Sequence, residues 1–579
     1  MRSPRSRGLL FYCRRGRTVP PLNSENLLQR ITSSTVLPFL LALSGSLLTA
    51  ACGASEETLA RVEQQQPRAT DESELYVDTT SIWGSPSISV CWENPTAADA
   101  TARAWVQDAA RGTWGSASSV EFVGWGQCTS ASRGIRIRIA DTGPHVKQLG
   151  SRLDGFVNGM ELNFTFANWS TSCQSTREFC IRAIAVHEFG HALGFAHEHN
   201  RPDRPSNCTE PAQGSNGNLM IGAWDLQSVM NYCNPNWNGS GKLSATDIAG
   251  VVQFYGGALW LRDFGYNAGG WRVEQHPRAV ADVNGDGRAD IVGFGQGGVY
   301  TALSTGTGFA PAQFVLAAFG YDAGGWRVEQ HPRTVADVSG DGRADIVGFG
   351  QGGVSVSLST GTGFAPAQFW LADFGYDTGG WRVELHPRIL ADVNGDRRAD
   401  IVGFGQGGVY VSLSTGTGFA PAQFVLAAFG YDAGGWRVEQ HPRAVADVNG
   451  DGRADIVGFG QGGVSVSLST GTGFAPPQFV LADFGYDAGG WRVEQHPRTL
   501  ADVNGDRRAD IIGFGQGGVY VSLSTGTGFA PAQFVLGAFG YNAGGWRVEQ
   551  HPRTVADVSG DGRADIVGFA SAGVQTYLF

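Results

Sequence analysis

The sequence predicts a multidomain protein, an α+β domain followed by an all-β propeller of six blades. Three observations predict it. A 55-residue unit recurs six times, marked by Trp271, Trp326, Trp381, Trp436, Trp491 and Trp546. Residues 79–257 instead carry helical patterns and six cysteines, and no cysteine follows Cys233. Gly makes up 85 of 579 residues and charged residues only 16%, against about 25% charged in an average protein, which favours short strands and many turns.

In chain order, residues 1–51 read as an export leader. They hold seven Arg and one Glu, ending in the apolar stretch Val36 to Ala51. That stretch is shorter than the about 20 apolar residues needed to span a bilayer. A basic region, an apolar core and small residues at its end form the pattern of a secretory signal. Leu48 to Cys52 resembles a bacterial lipoprotein signal site, which leaves a lipid anchor on Cys52 or simple cleavage nearby. The expected location is secreted or cell-surface, with an outer-membrane lipoprotein included. Residues 52–78 are read as a linker or short pro-segment, where Asp71, Glu72, Glu74 and Asp78 are candidates to mask a metal. The chain from residue 52 onward has a net charge of −17. That acidity argues against nucleic acid as a partner, since phosphate binding needs excess Lys and Arg. Six cysteines in an exported segment imply disulfides. Local pairing is expected: Cys91 with Cys128, Cys173 with Cys180, Cys208 with Cys233.

Within residues 79–257, strands are expected at 87–92, 120–123, 135–139 and 160–166, and helices at 97–111, 179–195 and 244–255. The second helix carries His187-Glu188-Phe189-Gly190-His191-Ala192-Leu193-Gly194-Phe195-Ala196-His197. His187 and His191 are four apart and project from one face. Gly194 can take a left-handed conformation that ends the helix, so that His197 returns as a third ligand. Three imidazoles leave one zinc position open for water. Zinc lowers that water's pKa toward about 7, and Glu188 is placed to take its proton. His145 and His199 are read as non-ligands.

Residues 258–579 hold the repeat, FGY[DN]xGGWRVExHPR followed by a D-x-[NS]-G-D loop and ADIVGF or ADIIGF. A period of this size means a solenoid, propeller or array, and about four short strands per unit make one propeller blade. The strand at 259–264 matches the one at 479–484, and the chain stops at Phe579 before such a strand, so the first strand can complete the last blade. Each loop places oxygen side chains at positions 1, 3, 5 and 9, the spacing of calcium loops. The expected ligands are Asp282, Asn284, Asp286 and Asp290; Asp337, Ser339, Asp341 and Asp345; Asp392, Asn394, Asp396 and Asp400; Asp447, Asn449, Asp451 and Asp455; Asp502, Asn504, Asp506 and Asp510; and Asp557, Ser559, Asp561 and Asp565. At position 6 the third and fifth loops carry Arg397 and Arg507 where the others have Gly, which predicts four tighter calcium sites and two weaker ones.

The run HEFGHALGFAHEHNRPDR resembles the astacin branch of the metzincin metallopeptidases, with Pro205 departing from the usual Asp. Ser228-Val229-Met230-Asn231-Tyr232 looks like the Met-turn of that family. By that resemblance Met230 packs beneath the metal and Tyr232 is a labile ligand that stabilises the oxyanion. The repeat resembles the integrin-type FG-GAP (VCBS) repeat, and its flanks look like propeller lectins that bind N-acetylglucosamine. That resemblance implies sugar contacts from Tyr266, Trp271, His276 and their copies, against the plainer reading of core and turn residues.

The function expected from these residues is an exported zinc endopeptidase acting on protein or peptide substrates, with a calcium-binding propeller for glycan or surface attachment. The rival is a lectin-like or adhesive protein whose protease domain is vestigial; intact Glu188 and all three His weigh against it.

Overall fold

Residues 75–579 are described by the structure, a computed structural model. Cys13, Cys52 and the acidic residues Asp71, Glu72 and Glu74 lie outside the described residues. The first strand, β1 (Leu75–Val77), falls within the expected linker yet is built into the α+β domain. It pairs with β7 (Leu219–Ile221), and Leu75 and Val77 are fully buried. Asp78 is equally committed. It accepts hydrogen bonds from the Thr80 N–H and hydroxyl and from Arg152 at 2.5 Å, so it caps a turn and masks no metal.

The domain's main sheet runs β3-β2-β4-β6-β5, formed by β2 (Ser87–Trp92), β3 (Glu121–Gln127), β4 (Ile135–Ile139), β5 (His145–Val146) and β6 (Met160–Leu162). All neighbours are parallel except β5 against β6. Parallel strands need a long crossover, and α1 (Ala100–Ala110) supplies the one from β2 to β3. The two-residue β5 lies at the sheet edge, beyond what alternation in the sequence could signal.

Against the sheet lies α2 (Arg177–Ala192), buried from Cys180 to Ala192 at every residue but Arg182. Phe189 meets Phe122 edge-on at 4.8 Å and stacks on Trp125 at 5.7 Å. The last carbonyls of a helix lack partners within it. Here Trp83 Nε1 donates to Ala192 O and the Tyr255 hydroxyl to Leu193 O, both at 2.7 Å. Disulfides join Cys91–Cys128, Cys173–Cys180 and Cys208–Cys233, the three local pairings expected.

A third helix, α3 (Ala245–Tyr255), ends the domain. After Gly256 and Gly257, β8 (Ala258–Leu261) pairs with the last blade's strand Gly573–Tyr577 and closes the ring. Six four-stranded antiparallel sheets result, and closure leaves no open end of the ring for edge-to-edge pairing. The five residues from Asp to Phe in the second strand of each blade, such as Asp290–Phe294, are buried. Gly293 is required by packing: a Cβ there would meet the Trp271 ring and lie 2.6 Å from Phe264. The same close approach recurs at Gly348, Gly403, Gly458, Gly513 and Gly568. Neighbouring blades are joined by repeated bonds. In the first, Ala289 N–H donates to Asp557 O at 2.7 Å and the Ser304 hydroxyl to Val558 O at 2.6 Å.

Arg397 and Arg507 sit at φ +67, in the conformation that Gly287, Gly342, Gly452 and Gly562 adopt at φ +83 to +88. Both arginines are solvent-exposed. A left-handed non-Gly residue costs about 1 kcal/mol, partly offset by the entropy Gly loses on folding. Replacing each by Gly is expected to raise stability by about 0.5–1 kcal/mol, read as a higher Tm. A lower Tm would show that the arginine side chains contribute more than the turn costs.

Candidate metal centre

His187 and His191 leave α2 one turn apart, and Gly194 at φ +101 turns the chain so that His197 comes back over them. Their Nε2 atoms converge: His197 Nε2 lies 3.2 Å from that of His187 and 3.1 Å from that of His191. Among the described residues this is the one group of three or more His, Cys, Asp or Glu side chains whose ligand atoms lie within 4.8 Å of one another.

Each Nδ1 meets a backbone carbonyl: His187 with Val229 O at 2.8 Å, His191 with Phe195 O at 2.7 Å, His197 with Gln213 O at 2.9 Å. A carbonyl only accepts, so each Nδ1 carries the proton and each Nε2 presents a lone pair. Burial, followed by the neighbouring imidazoles, pushes His187 down to about 3 and His191 well below the usual histidine value. Burial also lowers His197. Three lone pairs thus face one another with no proton between them, a repulsive arrangement that a cation relieves. The donor set fits zinc, whose nitrogen ligands at 2.0–2.1 Å would lie about 3.3 Å apart in a tetrahedron.

Beneath this set Gly190 explains itself. A Cβ there would meet Met230 Sδ and lie 2.9 Å from Trp114, so the helix sits directly on Met230, which is fully buried. The turn bearing Met230 is held by Asp247, whose carboxylate accepts from the Ser228 hydroxyl at 2.7 Å, Val229 N–H at 2.8 Å and Ser244 N–H at 2.9 Å. Ser244 and Asp247 also form the capping box of α3. Asp247 therefore positions Val229, whose carbonyl orients His187. Sequence reasoning missed Asp247, although a Ser with an acidic residue three positions on is a helix-start signal.

Glu188 is buried, its Oε2 has no partner, and burial raises it to about 8. The Tyr232 ring stacks on His187 at 5.2 Å and on His199 at 4.7 Å, and is 37% exposed. His199 accepts from Tyr232 N–H through Nδ1 at 3.3 Å and supports that ring without joining the triad. A cleft runs to both sides of Glu188. One arm, about 450 Å3, is lined by Trp169, Ile184, Asn234 and Trp237. The other, about 260 Å3, is lined by Val146, Lys147, Leu149 and Ser215.

Two imidazoles and a buried carboxylate on one helix, with a third imidazole returning beyond its end, in a cleft beside a sheet edge, define a metallopeptidase-type centre. Residues 172–209 match the astacin peptidase family, and residues 282–348, 392–458 and 502–568 match the FG-GAP-like repeat. The chain thus carries an astacin-like peptidase domain followed by a six-bladed propeller. It is similar to zinc metalloproteinase nas-2 of Caenorhabditis elegans, 36% identical over 83 residues, which are 13% of this chain and 28% of that protein. An Agrocybe aegerita lectin that recognises non-reducing terminal N-acetylglucosamine is 51% identical, covering 53% of this chain and 77% of the lectin, with a TM-score of 0.46. Myroilysin is 22% identical, covering 31% of this chain and 98% of its own, with a TM-score of 0.24.

In the propeller loops the expected calcium-ligand side chains make hydrogen bonds of their own. The Asp282 carboxylate is taken up by the N–H groups of Asn284, Gly285 and Gly287. Asp286 turns to Arg288 at 2.6 Å, and Asp290 accepts from Val283 and Ser304 N–H groups. Position 7 of every loop is an arginine, and it pairs with Asp286, Asp341, Asp396, Asp451 and Asp506 in five of them. The sugar-contact residues are similarly occupied. Trp271 is buried over Gly293, Tyr266 lies under the Arg272 guanidinium at 3.7 Å, and His276 bonds Arg272 N–H and Gln296.

Asp247→Ala leaves two buried donors, the Ser228 hydroxyl and Val229 N–H, unpaired at about 1–3 kcal/mol each, and frees the half-buried Ser244 N–H. It is expected to lower both Tm and zinc affinity; unchanged affinity in a folded variant would show that His187 is oriented without it. Burial, against two or three backbone N–H bonds, raises the loop carboxylates Asp290, Asp345, Asp455, Asp510 and Asp565 to about 6 and Asp400 to about 7, with the nearer loop aspartates adding to the rise at the first four and at Asp400. The folded state then binds protons more tightly than the unfolded chain at 3.8, so stability falls as pH rises from that value through 6. The Tm of the full chain without calcium is expected to rise when pH is lowered from about 7.5 to about 5. A Tm that falls instead would show that burial does not hold these carboxylates protonated.

Proposed function

We propose that this chain is a zinc-dependent endopeptidase that works outside the cytoplasm. The observation that carries this is the convergence of three Nε2 lone pairs beside the unpartnered Glu188 Oε2 in an open cleft. His187, His191 and His197 would hold the ion. When bound, zinc supplies a water acidified toward neutrality and polarises the scissile carbonyl.

The chain's own residues do the rest. Glu188 accepts a proton at Oε2 and hands it on to the leaving amine. Tyr232, half-exposed at the cleft, is placed to donate to the developing oxyanion. The free edge of β5 offers backbone groups to an extended peptide, which would add as another strand. Cleft arms on both sides of Glu188 accommodate residues before and after the scissile bond, which supports cleavage within chains. The arm with Trp169, Ile184 and Trp237 suits a large apolar side chain. Three disulfides support an oxidising compartment.

For the propeller we propose attachment to glycans, N-acetylglucosamine being the sugar named for the Agrocybe lectin. On this chain, Trp326 and Trp436 support it: they are only half-buried and stand in for Trp271 as stacking surfaces.

Glu188→Ala should retain one zinc per chain and lose casein hydrolysis by at least about a hundredfold, while the purified protein still binds immobilised N-acetylglucosamine. Undiminished turnover would remove Glu188 from the chemistry. Parent protein that binds the sugar and cleaves nothing would establish the adhesive reading.

A further inference from the structure

The repeats serve as an internal comparison, and three departures from their own pattern fall in one place. At residues 262, 317, 372, 427, 482 and 537, four positions are Ala, and all four alanines are exposed. The two exceptions are Arg262 and Gly537. Arg262 forms an ion pair with Glu121 of β3. Gly537 is buried against Gln253 of α3, where a Cβ would lie 2.6 Å from the Gln253 carboxamide. At residues 300, 355, 410, 465, 520 and 575 the pattern alternates Tyr and Ser until Gln575. Gln575 Nε2 donates to the Ser119 hydroxyl at 3.0 Å. Each departure thus meets a residue of the peptidase domain.

The junction is correspondingly tight. Ser119 N–H donates to Gly256 O at 3.0 Å and its hydroxyl to Gly257 O at 2.6 Å. A Cβ on Gly257 would lie 2.5 Å from Thr576 O and 2.8 Å from Phe539. Val252 and Tyr255 share one apolar cluster with Leu536, Phe539 and Trp546. The consequence shows at the repeated tryptophan. Alternate blades place Asp and Tyr around it, as Asp263 and Tyr300 do at Trp271, or Ala and Ser, as at Trp326 and Trp436. The Ala and Ser surroundings leave Trp326 and Trp436 half-buried. Trp546, which has Ala538 and Gln575, is nevertheless only 5% exposed, and the end of α3 and Gln575 line the space beside it.

We propose that the face formed by Arg262, Gly537, Gln575 and Trp546 is a dedicated docking surface for the chain's own peptidase domain. It holds cleft and propeller as one rigid body and closes the Trp546 position that stays open at Trp326 and Trp436. This does not depend on the propeller binding any sugar.

The test uses the full chain in the Glu188→Ala background, to avoid self-cleavage. The parent is expected to unfold in one calorimetric transition and to resist added proteinase K between residues 255 and 258. Gly537→Leu should split the transition in two and speed nicking there by roughly tenfold or more. Adding Gln253→Ala should restore most of the resistance by making room. Ala482→Leu, at the equivalent free position, should change neither readout. Equal effects from Ala482→Leu and Gly537→Leu would mean that blade damage alone is being read, and would overturn the proposal. So would two transitions in the parent.

Discussion

The centre of this molecule depends on three hydrogen bonds from imidazole Nδ1–H to backbone carbonyls. They decide which nitrogen of each ring is free, and so turn three buried histidines into three lone pairs aimed at one point. Each carbonyl comes from a different part of the fold. Phe195 O is delivered by the turn at Gly194, Val229 O by the turn that Asp247 holds, and Gln213 O by the segment between the two cysteines of the Cys208–Cys233 disulfide. The cost of burying three unprotonated rings face to face is met only if something positive sits among them.

Repetition made the propeller legible in the sequence. Six copies of one pattern cannot bury their faces alone, and the unmatched strand at each end of the array announced the closure that β8 and Gly573–Tyr577 make. The histidine motif was legible for a similar reason, since helix geometry converts a four-residue spacing into a shared face. Local cysteine spacing sufficed for the disulfides. Three things were not legible. Trp271 repeats like a binding residue, but repetition also marks core, and its burial against Gly293 could not be read from the repeat. The Asp-Asn-Gly loops have the oxygen spacing of an ion cage, but that spacing did not announce that Arg288 pairs with Asp286. β1 lay hidden in a polar linker because three residues carry no periodicity.

The same repetition gives physical meaning to small differences. Arg397 and Arg507 stand in a left-handed turn that four glycines occupy without strain. Gly537 loses a methyl group where the peptidase presses in, and Arg262 gains a charge where Glu121 waits. A ring of near-identical blades is therefore fitted to a single, asymmetric neighbour by changes at very few positions.

The most direct test of this account is X-ray absorption spectroscopy on the zinc-loaded full chain. Three imidazole nitrogens at about 2.0–2.1 Å with one or two light oxygen donors, falling to two imidazoles in His197→Ala, is the predicted result. A spectrum with fewer than three imidazoles in the parent, or one unchanged by His197→Ala, would contradict it.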